Sequence, residues 1–376
     1  FPYIFLLTKA QLSSVGVNIF KAAKSLGDDN LTAIYKVILP SLKPSIIAGM
    51  ALVIFETIAD FGGVSTLRIE TFTVGIYDAW FGYQNYFSAA RLSGYLLLFV
   101  LFIIFMSKYF QTDSNSLASK TAENFEGIKL SKFRQYLLMG LCSLIFILVF
   151  CIPLLQLLFW HIDSLKFDLI ENINLLLNSL ILGIICSLLT VFFAVSLALS
   201  YRESKRLRPI ISISSSGYSI PGSVIAAGLL VVFSYFFDVS ITLYGIFGLL
   251  ICLSIRFMTP AFNYVSSSLS NISDSSEKAL STQPKNSYKA FALFYLPQIK
   301  PAIFLSMMIV FIETIKEQPA TLLLRPVGFD TLSTKIYNFT SEGQWEMAST
   351  PSLLLILLSL FFIYFINKNI SLNNDI

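Results

Sequence analysis

Runs of about 20 apolar residues recur along this chain, near residues 43–62, 88–109, 135–159, 175–200, 209–237, 241–263, 301–319 and 348–366. Each is about as long as a helix must be to cross the hydrocarbon core of a bilayer, roughly 30 Å thick. The composition agrees, with 55% of residues hydrophobic and 13% charged, where soluble domains average about 25% charged. The reading is therefore an all-α polytopic membrane protein. The opening Phe1-Pro2-Tyr3-Ile4-Phe5-Leu6-Leu7 reads as the tail of a further helix already under way. Ser219-Ile220-Pro221-Gly222 interrupts one run, which membrane helices tolerate when neighbours satisfy the freed backbone groups.

The net charge of +4 is small, so the placement of the charges carries the information. The polar tract 108–134 holds Lys108, Lys120, Lys129, Lys132 and Arg134, and the loop 201–208 holds Arg202, Lys205, Arg206 and Arg208. Cationic loops stay in the cytoplasm. Between them, 160–174 carries Lys166 against Asp163, Asp168 and Glu171, as an outer loop should. Residues 110–134 read as a flexible cytoplasmic join between two bundles, 1–109 and 135–370. Cys142, Cys151, Cys186 and Cys252 lie inside apolar runs without paired spacing and read as buried small hydrophobes. His161, beside Trp160 at the end of a run, reads as an interfacial residue.

The most informative feature is a duplication. Residues 21–68 align with 278–325 at an offset of 257 without a gap, and 15 of 48 positions match. Shared apolar composition would match Leu and Ile, but not Lys43-Pro44 with Lys300-Pro301, Glu56-Thr57-Ile58 with Glu313-Thr314-Ile315, and Leu67-Arg68 with Leu324-Arg325. Six crossings separate the first copy from the second, so the copies share an orientation and form parallel repeats related by an axis along the membrane normal. A transport pathway fits between them. Each copy opens with an amphipathic cytoplasmic segment. Leu31, Ile34, Tyr35, Ile38 and Leu39 fall at i, i+3, i+4, i+7, i+8, and Tyr288, Phe291, Ala292, Tyr295 and Leu296 repeat that spacing. Each segment ends in Leu-Pro, with a second proline four residues on that is expected to start the next span. The same geometry twice favours a docking element over a helix lying on lipid.

Lys21-Ala22-Ala23-Lys24-Ser25-Leu26-Gly27 followed by Ile38-Leu39-Pro40 resembles the cytoplasmic coupling loop of ABC importer permeases. The second copy has Lys278-Ala279-Leu280, Pro284 where the first has Gly27, then Leu296-Pro297. Both copies carry Lys where that family usually has Glu. The stretch Lys316-Glu317-Gln318-Pro319-Ala320-Thr321 through Thr331-Leu332 is similar to the ferric-iron permeases, in which two transmembrane domains are fused. So is Asp60-Phe61-Gly62-Gly63 through Ile76-Tyr77. The resemblance implies a type I importer fold in the bacterial inner membrane, with fused members having about six spans per half. On that count this chain lacks about three helices at its start. It also implies two ATP-binding subunits gripping the coupling segments, a periplasmic binding protein delivering cargo, and no role in nucleic-acid binding. No G-x-x-x-x-G-K-[ST] loop occurs in the sequence, so ATP-Mg is expected on the partner subunit, and neither a cofactor nor a catalytic residue on this one.

Charged groups at membrane depth are costly and mark functional candidates. Glu56 and Glu313 are repeat mates, and Asp60 and Glu317 follow four residues later, expected on the same helical face. Four such carboxylates lining a cleft would suit a hard trivalent cation. The competing reading pairs Glu56 and Glu313 with Arg68 and Arg325, or has the carboxylates cap backbone breaks near Gly62 and Pro319; no firm metal site is assigned. Asp330, Tyr77 and Tyr337 read as structural residues of the outer loops. Rival cargoes are thiamine, a polyamine or an oxyanion, the last disfavoured by carboxylates in the spans. Rival classes are an ATP-independent secondary transporter and an inactive remnant.

Overall fold

The computed structural model describes residues 2–27, 29–111, 131–163, 169–236, 241–273 and 291–374. Most of the 110–134 join lies outside these residues, as do Lys278, Ala279, Leu280, Pro284 and Tyr288. The described residues are helical, without strands. Helix α1 spans Pro2–Ser25, and α2, Leu39–Ala59, is followed by the short α3, Gly62–Thr66, and α4, Phe72–Tyr77. Next come α5, Tyr86–Gln111, then α6, Lys132–Phe146, which continues through a π-helical turn into α7, Ile152–Asp163. The long α8 covers Leu169–Glu203. Then follow α9, Arg208–Ser214, α10, Gly222–Phe236, α11, Ile241–Arg256, and α12, Met258–Ser270. The last four are α13, Leu296–Lys316, α14, Pro319–Leu324, α15, Leu332–Ser341, and α16, Trp345–Asn374.

Among the described residues, six helices are long and apolar enough to cross a bilayer, or up to eight if each of two bent pairs counts as one span. The run expected at 209–237 is not a single straight helix. It turns by 113° between Arg208–Ser219 and Gly222–Phe236. Pro221 has no N–H to donate and restricts its predecessor, and Ile220 accordingly adopts an extended backbone (φ −96°, ψ 126°). The run expected at 241–263 bends by 49° at Phe257.

The chain divides into two compact units, Phe1–Ala59 with Gly94–Phe150, and Asp60–Ser93 with Cys151–Ile376. In the first, α1 packs along α2, and a small core joins Ala51, Phe55 and Val100. In the second, α8, α12 and α13 pack on one another, α16 lies against α7 and α15, and the core includes Cys186, Leu249, Cys252, Leu253 and Val265. Cys186 and Cys252 are buried as expected, but Cys142 is exposed. It lies on α6, whose side chains all face outward and are mostly apolar, Leu144 at 52% and Phe146 at 57% exposed. An outward apolar surface of this length is of the kind lipid solvates.

The duplication is reproduced element by element, and this is the organising fact of the fold. A π-helical turn at Ile34–Ile38 leads into α2, and one at Phe291–Tyr295 leads into α13, each offset by 257 residues. The amphipathic segments are thus π turns running without a break into the spans, and Pro44 and Pro301 lie inside α2 and α13 instead of starting them. Pro40 and Pro297 follow the π turns directly, as the second residues of α2 and α13. Even a helix contact recurs. A Cβ on Gly49 would stand 2.7 Å from Ile4 Cα, so α1 and α2 meet backbone to backbone. Their mates Ser306 and Ala261 meet in the other unit, where the Ser306 hydroxyl reaches the Ala261 carbonyl at 3.4 Å.

Candidate functional site

Both repeat copies end their span the same way. Helix α2 stops at Ala59 and α13 at Lys316, so Asp60 and Glu317 are not one helical turn beyond Glu56 and Glu313 on a shared face. Glu317 has an extended backbone (ψ 125°). Both residues instead cap the short helix that follows. Asp60 Oδ1 accepts from Gly63 N at 3.3 Å, and Glu317 Oε1 accepts from Ala320 N at 3.2 Å. The first N–H groups of a helix have no intrahelical partner, and a carboxylate there also opposes the helix dipole favourably. The next residues are matched as well, Phe61 at φ −123°, ψ −46° and Gln318 at φ −114°, ψ −55°.

A second pair of caps closes the motif. Thr71 caps α4 and Thr331 caps α15, each accepting from the backbone N–H three residues on. The Thr73 hydroxyl donates to the Asp60 carbonyl at 2.8 Å, and the Ser333 hydroxyl donates to the Glu317 carbonyl at 3.0 Å. Side chains thereby satisfy carbonyls left open where the helices stop. The offset here is 260, because the segment between Arg325 and Thr331 is three residues longer than that between Arg68 and Thr71. Asp330, in the longer segment, pairs with Arg325, which also donates to Thr334 at 3.3 Å.

The copies differ in what surrounds the carboxylate. Glu317 is buried and its Oε2 lies 3.5 Å from Nε of Arg256, which is buried too. Arg256 Nη1 donates to the Ile220 carbonyl at the break at 3.3 Å, and the Cys252 thiol lies 3.8 Å from the Gly222 carbonyl. A Cβ at Gly222 would collide with Glu317 Oε1, which is why the backbone can turn there only without a side chain. Asp60, by contrast, is exposed.

Between these elements sits an aromatic cluster. The rings of Tyr77 and Tyr337 are 5.4 Å apart and edge-on, and Phe61 lies 5.3 Å from the first and 5.1 Å from the second. Burial holds both phenols above the ordinary tyrosine range. Nearby Arg325 partly offsets this at Tyr77, and the electrostatic effect of neighbouring Tyr77 adds to it at Tyr337. Burial also raises the Asp78 carboxyl, with Glu70 adding like-charge repulsion, and it lowers the Arg325 guanidinium.

The cluster's position along the bundle is set by α8. The Ser179 hydroxyl accepts from Leu332 N at 2.9 Å, the Asn178 amide donates to the Asp330 carbonyl at 2.9 Å, and Glu171 pairs with Lys335. These anchors lie in the first third of α8, Ser179 being roughly 15 Å from Leu169 and 36 Å from Glu203 at 1.5 Å per residue. Glu203 leads into the cationic loop assigned to the cytoplasm. The cluster therefore lies at the end of α8 away from that loop.

The other expected residues are placed as follows. Glu56 accepts from the Tyr3 hydroxyl at 3.3 Å, and Glu313 pairs with Lys316 at 2.8 Å on the same helix; neither pairing is with Arg68 or Arg325. Lys21, Ala22 and Ala23 lie in the last turns of α1, with Ala23 buried. Gly27 follows in the left-handed conformation (φ 94°) that ends a helix. Leu39, Pro40, Leu296 and Pro297 are exposed, as are neighbouring Tyr35 at 67% and Leu293 at 77%. His161 meets the Thr350 hydroxyl at 2.9 Å. Among the described residues no three His, Cys, Asp or Glu side chains cluster as a metal site would require. The sequence reading missed Arg256 and ranked Tyr77 and Tyr337 low. A gapped repeat search would have raised them, since Thr-x-[Ser/Thr]-x-x-Ile-Tyr occurs at 71–77 and 331–337.

Duplicated spans, broken helices and matched caps around an aromatic cluster define the membrane subunit of a transporter. The chain belongs to the binding-protein-dependent transport system inner membrane component family, whose model matches residues 1–113 and 190–371. It is a multi-pass inner-membrane permease of the ABC importer class. Among its relatives, the Fe(3+)-transport system permease protein FbpB 2 of Haemophilus influenzae is 30% identical over 379 residues, 98% of this chain and 74% of that protein. The putative ferric transport system permease protein FbpB 1 of the same organism is 23% identical over 91% of this chain, which spans 57% of that relative. Among solved structures, a bacterial alginate ABC transporter in complex with an alginate pentasaccharide-bound periplasmic protein is 20% identical, with a TM-score of 0.49, over 63% of this chain and 94% of that one.

Proposed function

We propose that this chain is the membrane permease of an ATP-driven importer of ferric iron. The observation that carries the reading is the 30% identity to a Fe(3+)-transport permease across 98% of this chain. Two ATP-binding subunits, carrying ATP-Mg, dock on the segments 21–40 and 278–297, where Tyr35, Leu39 and Leu293 offer exposed apolar side chains. Their closure drives the two repeats to rock against each other and alternate access to a pathway between them. A periplasmic iron-binding protein delivers the cargo at the outer end.

Glu56, Asp60, Glu313 and Glu317 are the proposed path carboxylates for a hard cation in transit. Glu313 is paired with Lys316 and Glu317 with the buried Arg256, so a cation would have to displace a partner at either. Uptake of radioactive iron by cells carrying the whole transporter tests the cargo, with thiamine and a polyamine as competing solutes. Iron uptake that is absent, while either competitor accumulates with ATP, overturns the iron reading. Glu56→Gln with Glu313→Gln tests the path. Lower iron uptake at normal ATP hydrolysis supports the assignment, and unchanged uptake removes it.

A further inference from the structure

The second copy of the repeat enters its docking segment differently from the first. At the 257-residue offset α1 is the mate of α12, yet α1 runs on to Ser25 whereas α12 ends at Ser270, which matches Ser13. The end of α12 is buried, with Leu269 at 1% and Ile272 at 7% exposed. The last carbonyls of a helix have no partner within it, so where they are buried a donor must come from elsewhere. Here it comes from another helix. Arg202, in the last turn of α8, donates Nη1 to the Leu269 carbonyl and Nη2 to the Ile272 carbonyl, the latter at 2.8 Å. A guanidinium suits this place, because its rigid fork meets two oxygens at once and its charge faces the negative end of the helix dipole.

The same turn of α8 grips α12 a second time. Tyr201 meets Phe262 edge-on, with ring centroids 5.7 Å apart. Arg208 lies over the Tyr201 ring at 5.2 Å and donates to the Tyr201 carbonyl at 3.1 Å. All these residues lie in the second compact unit, at the end of α8 that leads into the cationic loop. Ile272 stands six positions before Lys278, where the second docking segment begins.

We propose that Arg202 is a positioning residue for ATPase coupling, fixing the point at which α12 releases the chain toward the second docking segment. In the first copy that task falls to α1 itself, which is helical through Ser25. The proposal rests on the reading that 21–40 and 278–297 dock the ATPase, and adds that the second site depends on a side chain from α8. Loss of Arg202 therefore weakens the second site and spares the first.

The test uses the whole transporter in membranes, with Cys142 and Cys151, the accessible native thiols, replaced by Ser. A single cysteine is introduced at the first site by Tyr35→Cys or at the second by Leu293→Cys, both exposed positions, and labelled with benzophenone maleimide. Photolysis should attach the ATPase at either position. Arg202→Ala should lower the yield at Leu293→Cys by about tenfold, as loss of charge-assisted hydrogen bonds implies, and leave that at Tyr35→Cys unchanged. Arg202→Lys, which keeps the charge but not the fork, should recover part of the loss. Equal losses at both positions would mean that Arg202 only supports the fold, and they overturn the proposal, as do unchanged yields at both. If Arg202→Ala does not reach the membrane, Arg202→Lys carries the comparison. A loss confined to Leu293→Cys then supports the proposal and any other pattern overturns it. Absence of cross-linking at both positions with Arg202 intact overturns the docking reading itself, so the two failures are told apart.

Discussion

The Glu317 carboxylate lies 3.5 Å from the Arg256 guanidinium with both side chains buried, whereas its repeat mate Asp60 performs the same helix cap in solvent. One duplicated device thus serves two ends. In the second repeat the carboxylate joins the break at Pro221 to the start of α14, through Arg256 and the Ile220 carbonyl. In the first the carboxylate only caps α3, with its side chain exposed.

Removing one member of a buried pair strands the other charge, so Glu317→Gln should destabilise the transporter by about 3–5 kcal/mol. Asp60→Asn removes only charge from an exposed cap and should cost about 1 kcal/mol or less. Thermal unfolding of the purified complex in detergent measures both, and equal shifts would contradict the assignment of Glu317 as the buried latch.

Gly222→Ala should weaken the same latch, because the new methyl group meets Glu317 Oε1. Overpacking of this kind costs about 1–3 kcal/mol. Gly94→Ala, where nothing lies within 4 Å of the added methyl, should instead stabilise α5 by about 1 kcal/mol through helix propensity. Opposite shifts in melting temperature are the expected result.

The phenols of Tyr77 and Tyr337 are held above the ordinary tyrosine range. The folded state therefore keeps these protons at a pH where the unfolded chain has lost them. Their contribution to stability is full below about pH 10, the unfolded value, and falls as pH rises through the folded values. Ultraviolet tyrosinate titration should show two late-ionising groups in the native protein that are missing from Tyr77→Phe with Tyr337→Phe.

If 21–40 and 278–297 dock the ATPase, a charge placed on their exposed apolar residues should release it. Tyr35→Glu and Leu293→Glu should each reduce ATPase co-purification, and together abolish it, with the permease still present in the membrane. Retention of the ATPase by the double variant would exclude these segments as the docking surface.

The spans and the duplication were legible in the sequence because lipid imposes length and polarity rules on each segment alone. The 257-residue offset even located equivalent π turns, equal helices and matched caps. What stayed hidden depends on neighbours distant in the chain. Helical periodicity continued past Ala59 and Lys316 would put Asp60 and Glu317 under Glu56 and Glu313, yet the helices end there because the carboxylates are more valuable as caps for the next helix. Arg256 looked like a residue at the end of an apolar run until the fold brought it to Glu317, 61 positions later in the chain. The Tyr77–Tyr337 contact likewise spans 260 positions and exists only in the folded chain. Sequence determined what each copy of the repeat is made of. Only the tertiary structure decided which carboxylate is neutralised and which two tyrosines meet, because burial and pairing are properties of packing between elements and not of the elements themselves.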